Sequence, residues 1–154
     1  MPRTPEGGLK SKIRKHLSAR GFFWSNVKGG AHSKPGDPDM ISCVYGRFLA
    51  IEAKDDDEDL EDHQETRRMQ VISSWGIWLT ARSVEDVDGA IEMIYKTLEE
   101  EVKEALQNDP EGFKGIEDQA VPYIAMGIRD PQDIRDCIAS GLSPDEAWNA
   151  VYGA

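Results

Sequence analysis

At 154 residues, with 39% hydrophobic content and four tryptophans, the chain supports one packed domain with a margin beyond it, and its composition excludes disorder. No stretch approaches the ~20 apolar residues of a membrane span, and the N-terminus lacks an apolar signal-type region. The net charge of −11 reads against a polyanionic partner only until it is divided: residues 1–54 hold ten Lys/Arg against four Asp/Glu, and residues 55–154 hold eight against twenty-five. That asymmetry fits a phosphate-facing side and a solvated acidic remainder. Cys43 and Cys137 have neither CxxC nor metal-type spacing, so both are expected as buried thiols of a soluble, cytoplasmic protein.

In chain order, Thr4 is a plausible helix cap, Pro5 suits the first helical position and Gly21 lies past the end, which predicts a helix over Pro5–Arg20. Its apolar stripe is Leu9, Ile13 and Leu17. Glu6 shares that stripe, either as a first-turn acid favoured by the helix dipole or as a carboxylate reaching over a sheet. Lys10, Lys12, Arg14 and Lys15 fall on other faces, as solubilising charge or as phosphate contacts. Phe22–Val27 reads as a strand, and 28–36 as a loop whose glycines, Lys28 and Lys34 suit approach to phosphate. It holds no P-loop pattern, and His32 is expected in solvent.

Met40–Tyr45 and Phe48–Ala53 are β-formers around a turn glycine, a hairpin. Glu52 and Lys54, two apart, project to one side. With Tyr45-Gly46 as the loop, Val44 pairs with Arg47 and Asp39 faces Glu52; with the loop shifted by one, Asp39 faces Lys54 instead. Two carboxylates beside a lysine form an oxygen cage suited to Mg²⁺ near an anion, a metal-dependent nuclease pattern.

After Lys54 comes an acidic loop, Asp55–Asp62, which lacks the glycine and terminal glutamate of an EF-hand. Glu61–Ser74 is a predicted helix with Met69 and Ile72 inward and Gly76 closing it. Ile77–Ala81 is a strand, and Ser83 with Asp86 forms a capping box for a long acidic helix from Val84 to Asn108. Farther on, Asp130-Pro131 and Ser143-Pro144-Asp145-Glu146 start two short helices separated by Gly141. These pack on the core or on another subunit or protein partner.

Gly36-x-Pro38-Asp39, then Ile51-Glu52-Ala53-Lys54, then Gln64 resembles the PD-(D/E)XK nuclease superfamily, specifically its VRR-NUC branch. The opening Thr4-Pro5-Glu6-Gly7 before a basic helix is similar to small phage-type members of that branch. The likeness runs from Thr4 to Val87 and departs at His63, where relatives carry leucine, and in the acidic loop. It implies an α/β restriction-endonuclease-like core, α-β-β-β-α-β-α with a central mixed sheet flanked by helices, over residues 1–108. Residues 109–154 would be a small helical extension. It implies Mg²⁺- or Mn²⁺-dependent hydrolysis of DNA, with selection by DNA structure an open possibility. Asp39, Glu52, Glu6 and the Ala53 carbonyl would hold the metal, Lys54 would assist proton transfer or charge stabilisation, and Gln64 would orient water. Lys10, Lys28 and Lys34 would contact phosphate. Two readings from other classes are a silent nucleic-acid-binding module and an acidic protein-interaction module built on the C-terminal helices.

Overall fold

The computed structural model describes residues 5–27, 29 and 32–153, the side chains of Pro5 and Glu6 excepted. Its chain reverses at Tyr45-Gly46, where φ is positive at both residues, 49° and 78°. A two-residue turn of that kind matches the right-handed twist of the strands it joins. Val44 accordingly pairs with Arg47, so of the two expected registers the unshifted one forms. The hairpin strands are β2 (Met40–Val44) and β3 (Arg47–Ala53). On one side β1 (Phe23–Asn26) adds antiparallel to β2; on the other β4 (Ile77–Ala81) adds parallel to β3. The result is a mixed four-stranded sheet in the order β1-β2-β3-β4.

A parallel neighbour needs a crossover, and α2 (Asp62–Ser73) supplies it between β3 and β4. With α1 (Pro5–Ala19) before the sheet and α3 (Val84–Asn108) after it, the order is the expected α-β-β-β-α-β-α. The α1 stripe buries Ile13 and Leu17 against Met40, Val44, Leu49 and Ile51, and Val87, Ile91 and Ile94 of α3 join the same core. Each such aliphatic side chain contributes about 1.5–3 kcal/mol on burial. β3 is buried from Leu49 to Ala53 without alternation, as a central strand covered on both faces should be.

The other sheet face is open near the turn. Phe23, Cys43 and Phe48 stand in one cross-strand row there, and all three are exposed. Cys43 is therefore not the buried thiol expected, whereas Cys137 is buried, and burial pushes its thiol up. Met69 and Ile72 of α2 are also exposed rather than inward. The helix turns its Gln64–Arg67–Val71 edge to the sheet instead, so its apolar pair faces solvent. Its end differs as well: Trp75, not Gly76, takes the left-handed conformation, at φ 62°. Gly76 is required for closeness, because a Cβ there would lie 2.8 Å from Val71 and 3.1 Å from Phe48.

The chain forms two compact units, Met1–Ile94 and Tyr95–Ala154, so α3 begins in the first and ends in the second. The second has its own core, in which Phe113, Ile124, Ile128, Ile134 and Ala147 are buried together with Val102 and Leu106 packed against them. Beyond α3 it holds α4 (Pro110–Phe113), α5 (Glu117–Ala125), α6 (Pro131–Ala139) and α7 (Pro144–Tyr152). The starts of α6 and α7 are those expected: Asp130 accepts from the Gln132 and Asp133 amides, and Ser143 with Glu146 closes a capping box. α5 was not foreseen, since Pro122 lies inside it. Among the described residues no helix is long and apolar enough to cross a membrane.

Candidate active site

The hairpin register sets Asp39, just before β2, across from Glu52 on β3. Two hydrogen bonds cross there: the Asp39 amide donates to Glu52 Oε2 at 3.0 Å, and the Ala53 amide donates to Asp39 Oδ2 at 2.9 Å. Each acid is thus held by a backbone N–H of the opposite segment. Both are buried, Asp39 at 4% exposure and Glu52 at 1%. A buried carboxylate is costly unless charge and hydrogen bonds compensate it. Part of that compensation comes from α2. Gln64 Nε2 donates to Glu52 Oε1 at 2.5 Å, while its Oε1 accepts from the Glu61 amide at 3.0 Å. The second bond belongs to the α2 capping box, so the helix cap fixes which way the Gln64 amide points. At 3% exposure Gln64 is no surface amide.

A further share comes from Lys10. The helical pattern sets this lysine off the apolar stripe, as solubilising charge or a phosphate contact, and its Nζ lies 2.8 Å from Asp39 Oδ1. Lys54 behaves differently. Its backbone amide donates to the Ala81 carbonyl at 3.0 Å, which continues the β3–β4 pairing, and alternation puts its side chain on the Glu52 face. The residue is 8% exposed, and it makes no ion pair with any described residue.

The segment 34–38 is docked on the first turns of α2. Gly36 has φ 88°, and a Cβ there would lie 2.1 Å from the His63 carbonyl oxygen, so only glycine fits. Asp37 accepts from the Lys34 amide at 2.8 Å and pairs with Arg67 Nε at 2.9 Å. The motif glycine and the following acid therefore fix the loop to the helix that carries Gln64. On the other flank Arg82 donates to the carbonyls of Asp55 and, at 2.7 Å, Glu58, tying down the start of the acidic loop. Sequence reading missed Arg82; its place directly after β4, the neighbour of Lys54, was the available signal.

Of the expected site residues, the structure brings together Asp39, Glu52, Gln64 and Lys10, with Lys54 buried on the Glu52 face. The side chain of Lys34 is exposed, as is His32. The Glu6 side chain and Lys28 lie outside the described residues. Among the described residues no group of three or more His, Cys, Asp or Glu side chains gathers as for a metal. What is present fits a hard divalent ion in kind. Asp39 and Glu52 are buried oxygen donors that call for a cation, and neither cysteine nor histidine accompanies them.

A solved structure described as a VRR_NUC domain has a similar fold, with a TM-score of 0.50 and 22% sequence identity over 58% of this chain and 96% of that one. No family model matches the chain, and a search of curated proteins finds no match. The likeness is one of architecture, and it agrees with the mixed sheet and flanking helices described above.

Proposed function

We propose that this VRR_NUC-like fold serves a Mg²⁺- or Mn²⁺-dependent endonuclease that hydrolyses phosphodiester bonds of DNA. The observation that carries the reading is Lys54: 8% exposed, on the face of buried Glu52, and without an ion pair among the described residues. A structural lysine so enclosed would be paired; an unpaired one is arranged to meet charge that arrives with a substrate.

Asp39 and Glu52 would hold the ion, with the Ala53 carbonyl and Glu6 as further ligands. When bound, such an ion lowers the pKa of a coordinated water and offsets charge developing on phosphate. The remaining roles fall to the chain. Lys54 places an ammonium at the Glu52 face, where it stabilises negative charge on the scissile group or relays a proton. Gln64 keeps one Glu52 oxygen engaged and so fixes how the other is presented. Lys28 and Lys34 serve as phosphate contacts.

The test is cleavage of a panel of labelled DNA structures in Mg²⁺ and in Mn²⁺ by the wild type and Lys54→Ala. The wild type should cut, and the variant should retain its fold by circular dichroism while losing about 10²–10⁴-fold in single-turnover rate. Wild-type protein that binds DNA yet cuts none of the panel in either metal overturns the reading.

A further inference from the structure

We propose that Lys10 is a resident counter-cation of the metal position: its ammonium occupies Asp39 until a divalent ion displaces it, which makes ion binding depend on DNA. This rests on the metal-dependent reading of the site given above.

The geometry is specific. Lys10 follows Leu9 on α1 and precedes Ile13 by one turn, so its stem runs along the flank of the helix that faces the core. Its side chain is 23% exposed, and that of Asp39, the group it meets, is 2% exposed. Of the two Asp39 oxygens, Oδ2 already accepts the Ala53 amide, and Oδ1 is the one the ammonium approaches at 2.8 Å. Oδ1 is therefore the oxygen suited to a ligand role, and Lys10 is on it. An ammonium has donors only and cannot join a coordination shell. Held beside a divalent ion in a poorly screened site, it would be strongly repelled. Ion and ammonium thus compete for one oxygen.

What happens to the displaced charge decides the energetics. The lysine stem is flexible and its side chain retains some access to solvent, so the ammonium can swing outward. In free protein it leaves Asp39 without gaining a phosphate. With DNA present it gains a phosphate oxygen, so DNA favours the displaced state and hence the ion. By linkage the ion must favour DNA by the same factor.

The experiment reads free Mn²⁺ by electron paramagnetic resonance during titration of full-length protein, with and without a cleavage-resistant phosphorothioate DNA duplex. Lys10→Met keeps the stem and removes the charge. The wild type should bind Mn²⁺ weakly alone and about 5–150-fold more tightly with DNA, the usual span of such coupling. Lys10→Met should bind Mn²⁺ alone more tightly than the wild type by a similar factor and lose most of the DNA dependence. Should Lys10→Met fold poorly without metal, Lys10→Gln keeps a neutral donor toward Asp39, and its thermal midpoint should rise more with Mn²⁺ than that of the wild type. Variants whose Mn²⁺ affinity equals or falls below that of the wild type overturn the proposal and leave the metal site standing. Absence of Mn²⁺ binding by every protein, with and without DNA, overturns the proposal and the metal-dependent reading together.

Discussion

Gln64 Nε2 lies 2.5 Å from Glu52 Oε1, a bond that reaches from the first turn of a crossover helix to a central strand. The same side chain caps its own helix, so one residue couples the start of α2 to a buried carboxylate. Gln64→Ala should therefore cost about 1–3 kcal/mol, as expected when a buried acceptor loses its partner. Urea unfolding measures this, and unchanged stability would show that the bond contributes nothing in solution.

Two glycines should respond in opposite senses. Gly36→Ala forces a side chain into a left-handed conformation and against the His63 carbonyl, so it should lose at least about 1–2 kcal/mol. It should also disturb the side-chain amide resonance of Gln64, the next residue along α2. Gly89 lies inside α3, where an added methyl would meet nothing within 4 Å, and Gly89→Ala should gain about 0.5–1 kcal/mol. Denaturant midpoints of the two variants on either side of the wild type are the expected result.

Trp75 is 96% exposed and holds φ at 62°, a conformation that suits glycine or asparagine. Replacing it sacrifices almost no buried area. Trp75→Asn should raise stability by up to about 1 kcal/mol through relief of that backbone cost. A fall in stability instead, growing with protein concentration in the wild type, would show that the indole is covered in solution by another molecule.

The cap of α7 carries a pH dependence. Hydrogen bonds from the Ser143 backbone and hydroxyl hold the Glu146 carboxyl below its ordinary 4.5, and the Ser143 hydroxyl, then the residue's own amide, hold Asp145 below 3.8. Carboxyls lowered on folding add stability above their unfolded values, and that stability is lost as pH falls through the folded ones. Ser143→Ala should thus unfold more readily than the wild type at neutral pH. The gap should narrow once pH drops below 3.8, as followed by helical circular dichroism. A gap independent of pH would show that the cap acts without its carboxylates.

The hairpin and its acids were legible because their signals are local. A turn glycine, a two-residue alternation and adjacent motif residues place Asp39, Glu52 and Lys54 with little help from the rest of the chain. The contact of Lys10 with Asp39 was not legible because a helical wheel assigns faces to Cα positions, whereas a four-carbon stem can turn a flanking residue inward. Met69 and Ile72 fit an inward stripe, but α2 docks through its Gln64 edge, where the amide reaches Glu52, and leaves those two side chains exposed. Cys43 was expected inside because its spacing suited neither a disulfide nor a metal, and nothing in a single strand tells which face stays uncovered. Pro122 concealed α5, a helix held by the second core despite the lost donor.

The crossed bonds at the mouth of the hairpin make Asp39 and Glu52 fasteners, whatever part they play as the proposed metal ligands. Cutting either one frees an amide on the facing segment, so an alanine there loosens the seam between strands at the same stroke as it removes a charge. An inactive Asp39→Ala would for that reason be ambiguous, whereas Asp39→Asn, whose carbonyl still accepts from Ala53, separates chemistry from architecture. The same double duty bears on descent. Persistence of both acids in a lineage would therefore testify to shape as well as to any use.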